Sequence, residues 1–362
     1  MKRAKKVMFG LGIVLILVLV GIIGLQMYLN NMMSKVPEMT KEEVLDYMME
    51  DKEKAIVTVG IIENNEMNYT VYGNNGAVLP QEEYDYEIGS ISKTFTASLL
   101  AKGIEKGDFN LEDSIDRYIE LEDQYYPSLK EFVSHTSGYK SYYVDFDLLK
   151  NSLSGVNALS GIHEDKLVQQ LEKKSVKKKD YAFNYSNFGI SVIGKVLSEK
   201  YGDTYSSLMN NFIKEDLHLE NTHISNGTGN MENYWHWEKD DAYLPAGGIL
   251  STITDMMKYT KLHMEGETSY LNKTREKLTD VSGFSKQLEL MEINIDGAGM
   301  TWMLDEKNNL VWHNGGTGNF NTYMAFDPDR KIGVVVLSNL GPNERIPATV
   351  LGYKTIIDLQ NK

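Results

Sequence analysis

The residues with the clearest capacity for covalent chemistry are Ser90 and Lys93, which the run Ser90-Ile91-Ser92-Lys93 places three apart. On a helix that spacing puts the hydroxyl and the amine on one face, about one turn apart. An amine so placed can accept the serine's proton if burial or a neighbouring cation makes it neutral, and the serine oxygen can then attack a carbonyl carbon. Spacing alone is a weak signal, because Ser137 with Lys140 and Ser175 with Lys178 repeat it in the same chain. The segment C-terminal to each serine separates them. Ser90 precedes residues 94–106, where Phe95, Leu99 and Ile104 supply an apolar helical stripe. A serine at the start of a buried helix has backbone N–H groups at hand for an oxyanion, and the other two serines have no such helix behind them. Cysteine is absent, which removes a disulfide framework, a thiolate metal site and a cysteine nucleophile together.

Residues 87–96 read EIGSISKTFT. After them come 129–138 (LKEFVSHTSG), 184–189 (NYSNFG), 244–255 (LPAGGILSTITD) and 313–326 (HNGGTGNFNTYMAF). In this order they resemble the motifs of the serine β-lactamase and penicillin-binding protein superfamily, particularly its class C-like branch, from about residue 50 to the chain's end. The resemblance implies that Ser90 is the nucleophile and Tyr185 a proton shuttle, with Lys93 holding the phenolate or relaying the proton. It implies that Asn187 donates its amide to substrate and that the N–H groups of Ser90 and Gly316 form an oxyanion hole. The Tyr-x-Asn spacing recurs at Tyr28, Tyr72 and Tyr270, so position rather than spacing singles out Tyr185, whose alternative is a buried tyrosine at the start of a helix. His313 and Asn314 stand where the commonest pattern has Lys and Thr or Ser, an arrangement similar to some carboxypeptidases and D-aminopeptidases of the superfamily. Residues 341–345 resemble, one residue shorter, the place where class C β-lactamases present an asparagine and an arginine to a substrate carboxylate. Arg345 is therefore expected to bind such a carboxylate, with Thr317 hydrogen-bonding the same group. By the same resemblance His135 and its neighbours are structural support below the site. The other histidines show no HExxH or comparable ligand spacing, so neither metal nor cofactor is expected.

The elements that must position these residues are legible around them. Thr40 and Glu43 have capping-box spacing and open a helix to about Met49. Two β-rich runs, 55–62 and 67–72, flank Glu63-Asn64-Asn65-Glu66 and read as a hairpin. Strands return at 299–304, 310–313, 319–326 and 332–337, the last two joined by Asp327-Pro328-Asp329-Arg330, and residues 346–359 form a closing helix. The expected fold is α+β: an antiparallel sheet flanked by helices and completed by both termini, an inserted all-helical domain and an N-terminal transmembrane helix. The expected domains are 1–35 as anchor and linker, 36–110 with 240–362 as the sheet domain, and 111–239 as the helical domain.

The first 35 residues carry Lys2, Arg3, Lys5, Lys6 and Lys35 and no acid, so within a net charge of −14 the remainder carries −19. Such a surface repels phosphate, which argues against nucleic acid, and the basic run from Lys173 to Lys179 reads as a solvated helix end. Val7 to Leu25 are nineteen uncharged, mostly aliphatic residues behind a cationic cluster. As a helix they reach about 28 Å, close to a bilayer core, and no small-x-small cleavage site comes after them. The expectation is thus a single-pass, membrane-anchored serine hydrolase with an extracytoplasmic body, acting through an acyl-enzyme on a peptide-like amide in the manner of a DD-carboxypeptidase or D-aminopeptidase. Its partners would be the membrane and a small-molecule or peptide substrate, cell-wall material included. An esterase or weak β-lactamase of the same fold, or a non-turnover penicillin-binding sensor or wall-binding protein, are the alternatives.

Overall fold

Asn64 and Asn65 both take left-handed backbone, φ 54° and 67°, the conformation a two-residue turn needs to match the twist of its strands. They close the first hairpin of a computed structural model that describes residues 34–143, 146–154, 157–342 and 347–362. The hairpin strands are β1 (Val57–Glu63) and β2 (Glu66–Gly73), and β3 (Ala77–Leu79) comes next. After these come β4 (Tyr86–Glu87), β5 (His223–Ile224) and β6 (Ile249–Ser251), which form a small sheet ordered β4-β6-β5. The C-terminal third adds β7 (Thr279–Asp280), β8 (Gly297–Ala298), β9 (Met303–Asp305), β10 (Leu310–Gly316), β11 (Asn321–Asp327) and β12 (Ile332–Ser338). The main sheet has nine strands in the order β3-β2-β1-β12-β11-β10-β9-β8-β7. β1 lies antiparallel to β12, from Val57 opposite Ser338 to Ile62 opposite Gly333, so strands from both ends of the chain complete one sheet.

Alternation along the strands gives the sheet two buried faces. One face carries Val57, Val59, Trp312, Tyr323, Val334 and Val336 and is covered by α1 (Lys41–Met49) and a closing helix at Ala348–Gln360. The capping box at Thr40 and Glu43 is formed at the start of α1. The opposite face, with Ile62, Val311, Met324, Val335 and Leu337, packs on α2 (Ser92–Glu105) and on the helices inserted between β4 and β7. Among these are α3 (Leu129–Val133), α4 (Glu164–Lys173), α5 (Asn187–Tyr201) and α6 (Ile253–Glu265); the closing helix is α7. α2 is buried almost all round, from Ser92 to Ala101, which makes it the helix to which both the sheet and the insert are attached. The insert is not all helix, since β5 leaves it to pair with β6.

The expectation of an N-terminal transmembrane helix, and with it a membrane-anchored extracytoplasmic location, is corrected here. Among the described residues no helix is long and apolar enough to cross a membrane. The longest, α5, has 15 residues. At 1.5 Å per residue that is roughly 22 Å, short of a hydrocarbon core of about 30 Å. Val7 to Leu25, on which the expectation rested, lie outside the described residues.

Val336 is fully buried in β12 between β1 and β11, whereas Val78 in edge strand β3 is 68% exposed. Val336→Ala is expected to cost about 2 kcal/mol in denaturant unfolding, and Val78→Ala to stay within about 0.5 kcal/mol of the parent.

Candidate active site

Ser90 sits in a single helical turn, Gly89–Ile91, that leads directly into α2. The backbone of this turn is pressed against β10. A Cβ on Gly315 would lie 1.9 Å from the Ile88 carbonyl oxygen, and one on Gly89, whose φ is +52°, would lie 2.5 Å from the Gly316 nitrogen. Only glycine permits that approach. The hydroxyl of Thr322, on β11, adds a 2.9 Å bond to the Ile88 carbonyl. Thr317 N–H bonds the Phe320 carbonyl at 3.0 Å, and Gly316 is paired with Asn321 one position along. Because bonded and non-bonded pairs alternate in an antiparallel ladder, the Gly316 N–H points away from β11.

Lys93 projects from the first turn of α2 with no solvent exposure. Its Nζ is 2.9 Å from Ser90 Oγ and donates to the Ala246 carbonyl at 2.5 Å. Among the described residues no carboxylate pairs with it, and burial alone pushes its pKa well below the usual lysine range. The Ala246 carbonyl belongs to the LPAGG segment, which also takes a bond from Thr96 at Pro245, so that motif braces α2 from the side. Tyr185 lies just before α5, its ring 5.0 Å from Lys93 Nζ and its hydroxyl near the Ser90 side chain. Burial pushes the phenol up, which favours its protonated form.

Two imidazoles close the group. The ring of His313 is 6.1 Å from that of Tyr185; burial and the Lys93 charge lower its pKa to about 3, so it is neutral at physiological pH. Its Nδ1 lies 2.6 Å from the Asn314 carbonyl, an acceptor only, which assigns the proton to Nδ1. His135 takes left-handed backbone, φ 59°, and is lowered by burial first and then by Lys93 and His313. Its Nδ1 accepts the Ser186 N–H at 3.2 Å and its carbonyl accepts from Asn184 at 2.8 Å, holding the chain on both sides of Tyr185.

The structure thus brings Ser90, Lys93, Tyr185, His313 and Gly316 together. It does not turn Asn314 to them: strand alternation puts that side chain on the opposite face, where Nδ2 donates to Thr349 of α7 at 2.9 Å. Both amide hydrogens of Asn187 are engaged, by Ser141 Oγ at 2.9 Å and by the Tyr142 hydroxyl. Thr317 donates its hydroxyl to Glu87 Oε2 at 2.6 Å, so its hydrogen is not offered to a substrate carboxylate as expected. Arg345 lies outside the described residues. Sequence reasoning missed the Ala246 carbonyl, because a main-chain acceptor has no residue signature, and it used Glu87 only as part of a motif. It also could not see that His163, Glu238 and Asp241 bring their ligand atoms within 4.8 Å of one another. His163 and Asp241 of that trio border a cavity of about 690 Å³ that includes neither Ser90 nor Lys93, and both Asp241 oxygens already accept backbone N–H groups.

The Beta-lactamase family model matches residues 42–351. The chain belongs to the Beta-lactamase family. It is 21% identical to Protein flp of Staphylococcus aureus (strain MRSA252) over 296 residues, 75% of this chain and 56% of that protein. Thus the chain spans little more than half the length of that relative. It is 25% identical to a Beta-lactamase of Pseudomonas fluorescens over 355 residues, 85% of this chain and 95% of that one. Its fold is that of the octameric penicillin-binding protein homologue from Pyrococcus abyssi (TM-score 0.71, 22% identity, 88% of this chain and 76% of that one). It is likewise that of the Beta-lactamase/D-alanine carboxypeptidase from Yersinia pestis complexed with citrate (TM-score 0.65, 18% identity, 88% and 96%).

The close approach of the Ser90 turn to β10 is testable by stability alone. Gly315→Ala is expected to cost about 1–3 kcal/mol, because a backbone oxygen must move to admit the methyl group. Gly247→Ala, whose Cβ would find no atom nearer than 3.9 Å, should change thermal stability by less than about 0.5 kcal/mol.

Proposed function

We propose that this protein is a serine hydrolase of the β-lactamase/DD-peptidase kind that forms an acyl-enzyme on Ser90. The observation that carries this is the 2.9 Å contact between Ser90 Oγ and a fully buried lysine amine with which no carboxylate among the described residues pairs. As a neutral amine Lys93 keeps one N–H on the Ala246 carbonyl and turns its lone pair to the serine hydroxyl. It takes the serine proton as Oγ attacks the substrate carbonyl, and the Ser90 and Gly316 N–H groups stabilise the oxyanion. Tyr185, kept as a phenol by burial, passes its proton to the leaving group and is refilled from Lys93. Water then releases the acyl group by the reverse route. Of the two roles expected for Lys93, burial favours relay over holding a phenolate.

Family membership supports the reaction class, and the edge of β10 supports a peptide-like amide. β9 pairs only with Leu310, Val311 and Trp312, so residues 313–316 offer a main-chain edge along which an extended substrate can lie beside Ser90. A neutral ester is the second reading. It is favoured by the uncharged state of His313 and by the engagement of the Thr317 hydroxyl with Glu87.

Ser90→Ala should abolish hydrolysis of an activated ester and abolish fluorophosphonate labelling read by intact mass, with circular dichroism unchanged. Wild-type turnover by this variant would sink the proposal. The sign of the pH dependence is set by Lys93: its amine must be neutral, so kcat/KM should rise with pH through a midpoint well below an ordinary lysine's. Paired substrates decide the class. A carboxylate-binding cation would make Arg345→Ala raise KM for a peptide carboxylate by about tenfold or more and leave a neutral ester unchanged, whereas equal effects on both favour the esterase.

A further inference from the structure

Glu87 ends β4, three residues before Ser90, and is 1% exposed. A carboxyl group that deep needs partners, and it has two. Oε2 accepts the Thr317 hydroxyl at 2.6 Å and Oε1 accepts the Trp235 backbone N–H at 2.7 Å. These come from segments far apart in the chain. Thr317 opens the turn between β10 and β11, directly after Gly316, while Trp235 belongs to the strap 233–237 of the inserted segment. The strap lies over that turn. Tyr234 stacks on Phe320 with ring centroids 5.1 Å apart, a Cβ on Gly318 would lie 2.6 Å from the Trp235 indole nitrogen, and Asn319 donates to the Asn233 carbonyl at 2.9 Å. Glu87 is therefore the node at which strand β4, the strap and the β10–β11 turn meet.

We propose that Glu87 is a positioning residue: its buried carboxylate clamps the β10–β11 turn, and with it the Gly316 N–H, against the Ser90 turn, an inference that rests on the serine-hydrolase reading. The carboxylate form satisfies both donors. Protonation leaves the Trp235 bond on the remaining carbonyl oxygen but makes the other oxygen a donor, so the Thr317 bond must reverse or break. Burial is the main cause that raises the carboxyl pKa, to about 7, and the two bonds oppose it. The ionisable groups around it are Tyr234 on the strap, whose phenol is raised chiefly by burial and then by the charges of Asp85 and Glu87, and Asp85 next to β4. Among the described residues no cation pairs with Glu87. The clamp is therefore formed above about pH 7 and altered below it.

The test compares Glu87→Gln and Glu87→Ala with the parent between about pH 5 and about pH 9, using a p-nitrophenyl ester, fluorophosphonate labelling of Ser90 and tryptophan emission. The parent should show an emission change with a midpoint near 7 that Glu87→Gln lacks. Glu87→Gln, which can still accept from Trp235, should retain labelling within about threefold at its best pH, while losing the matching component of the pH–rate profile and keeping that of Lys93. Glu87→Ala should lower kcat by about tenfold or more with KM within about threefold, because an oxyanion donor is misplaced rather than a binding contact removed. A Glu87→Gln variant that titrates like the parent, or a folded Glu87→Ala variant labelled at the parental rate, overturns the clamp. Should Glu87→Ala not fold, Glu87→Gln decides. Absence of Ser90 labelling in the parent would overturn the hydrolase reading instead, and the emission titration would still decide the clamp.

Discussion

The site depends on one backbone-to-backbone contact, the seating of Ile88 and Gly89 against Gly315 and Gly316 of β10. On the proposed mechanism the nucleophile sits at a helix and the oxyanion donor on a strand edge, which belong to different layers of an α+β fold, and ordinary side chains would hold those layers several ångströms further apart. Two glycines remove that spacing at the one place where the layers must meet. The rest of the architecture maintains the contact. α2 is gripped by the sheet on one side and by Pro245 and Ala246 on the other, while Thr322 and Glu87 tie the turn to β11 and to the turn after β10.

Drying the centre is the second constraint, and it acts on every ionisable group there in the direction of neutrality. Lys93, His135 and His313 are lowered, and Tyr185 and Glu87 are raised, each chiefly by burial. A neutral amine beside a serine hydroxyl is a base, whereas the same amine in water would be a cation and inert as one. The same desolvation makes His313 an uncharged group where the commonest pattern of the superfamily has a lysine. The departure is thus electrostatic as well as chemical, and substrate charge becomes the property that separates a peptidase from an esterase reading.

Strands from both ends of the chain meet at β1 and β12, so the sheet closes only when residues nearly three hundred apart have paired. That arrangement leaves the middle of the chain free to form the insert, whose non-helical segments contribute Tyr185 and the strap that reaches Glu87. The insert is bound to the rest of the fold beside Ser90, through Trp235 and Asn233, and also away from it, through the β5–β6 pairing and the Thr301 N–H to Val133 carbonyl bond.

Local signals in the sequence determined what depends on neighbours in the chain. Asn64-Asn65 turned the first hairpin, Thr40 and Glu43 capped α1, and the apolar stripe after Ser90 made α2. The order of five motifs pointed to the family; the Ser90–Lys93 spacing is that of one helical turn, whereas Tyr185 precedes α5 and was singled out by position rather than spacing. Strand ends were read less well: β9 begins at Met303, later than the run 299–304 promised, since pairing and not β-propensity decides where a strand starts. Side-chain direction was decided only in three dimensions. Asn314 faces α7 because the pleat of β10 alternates, and the amide of Asn187 is taken by Ser141 and Tyr142 from a different segment. Thr317 is captured by Glu87 across 230 residues, as is Lys93 by the Ala246 carbonyl across 153. Bonds of that kind arise from how layers pack, and packing is a property of the whole chain that no local pattern contains.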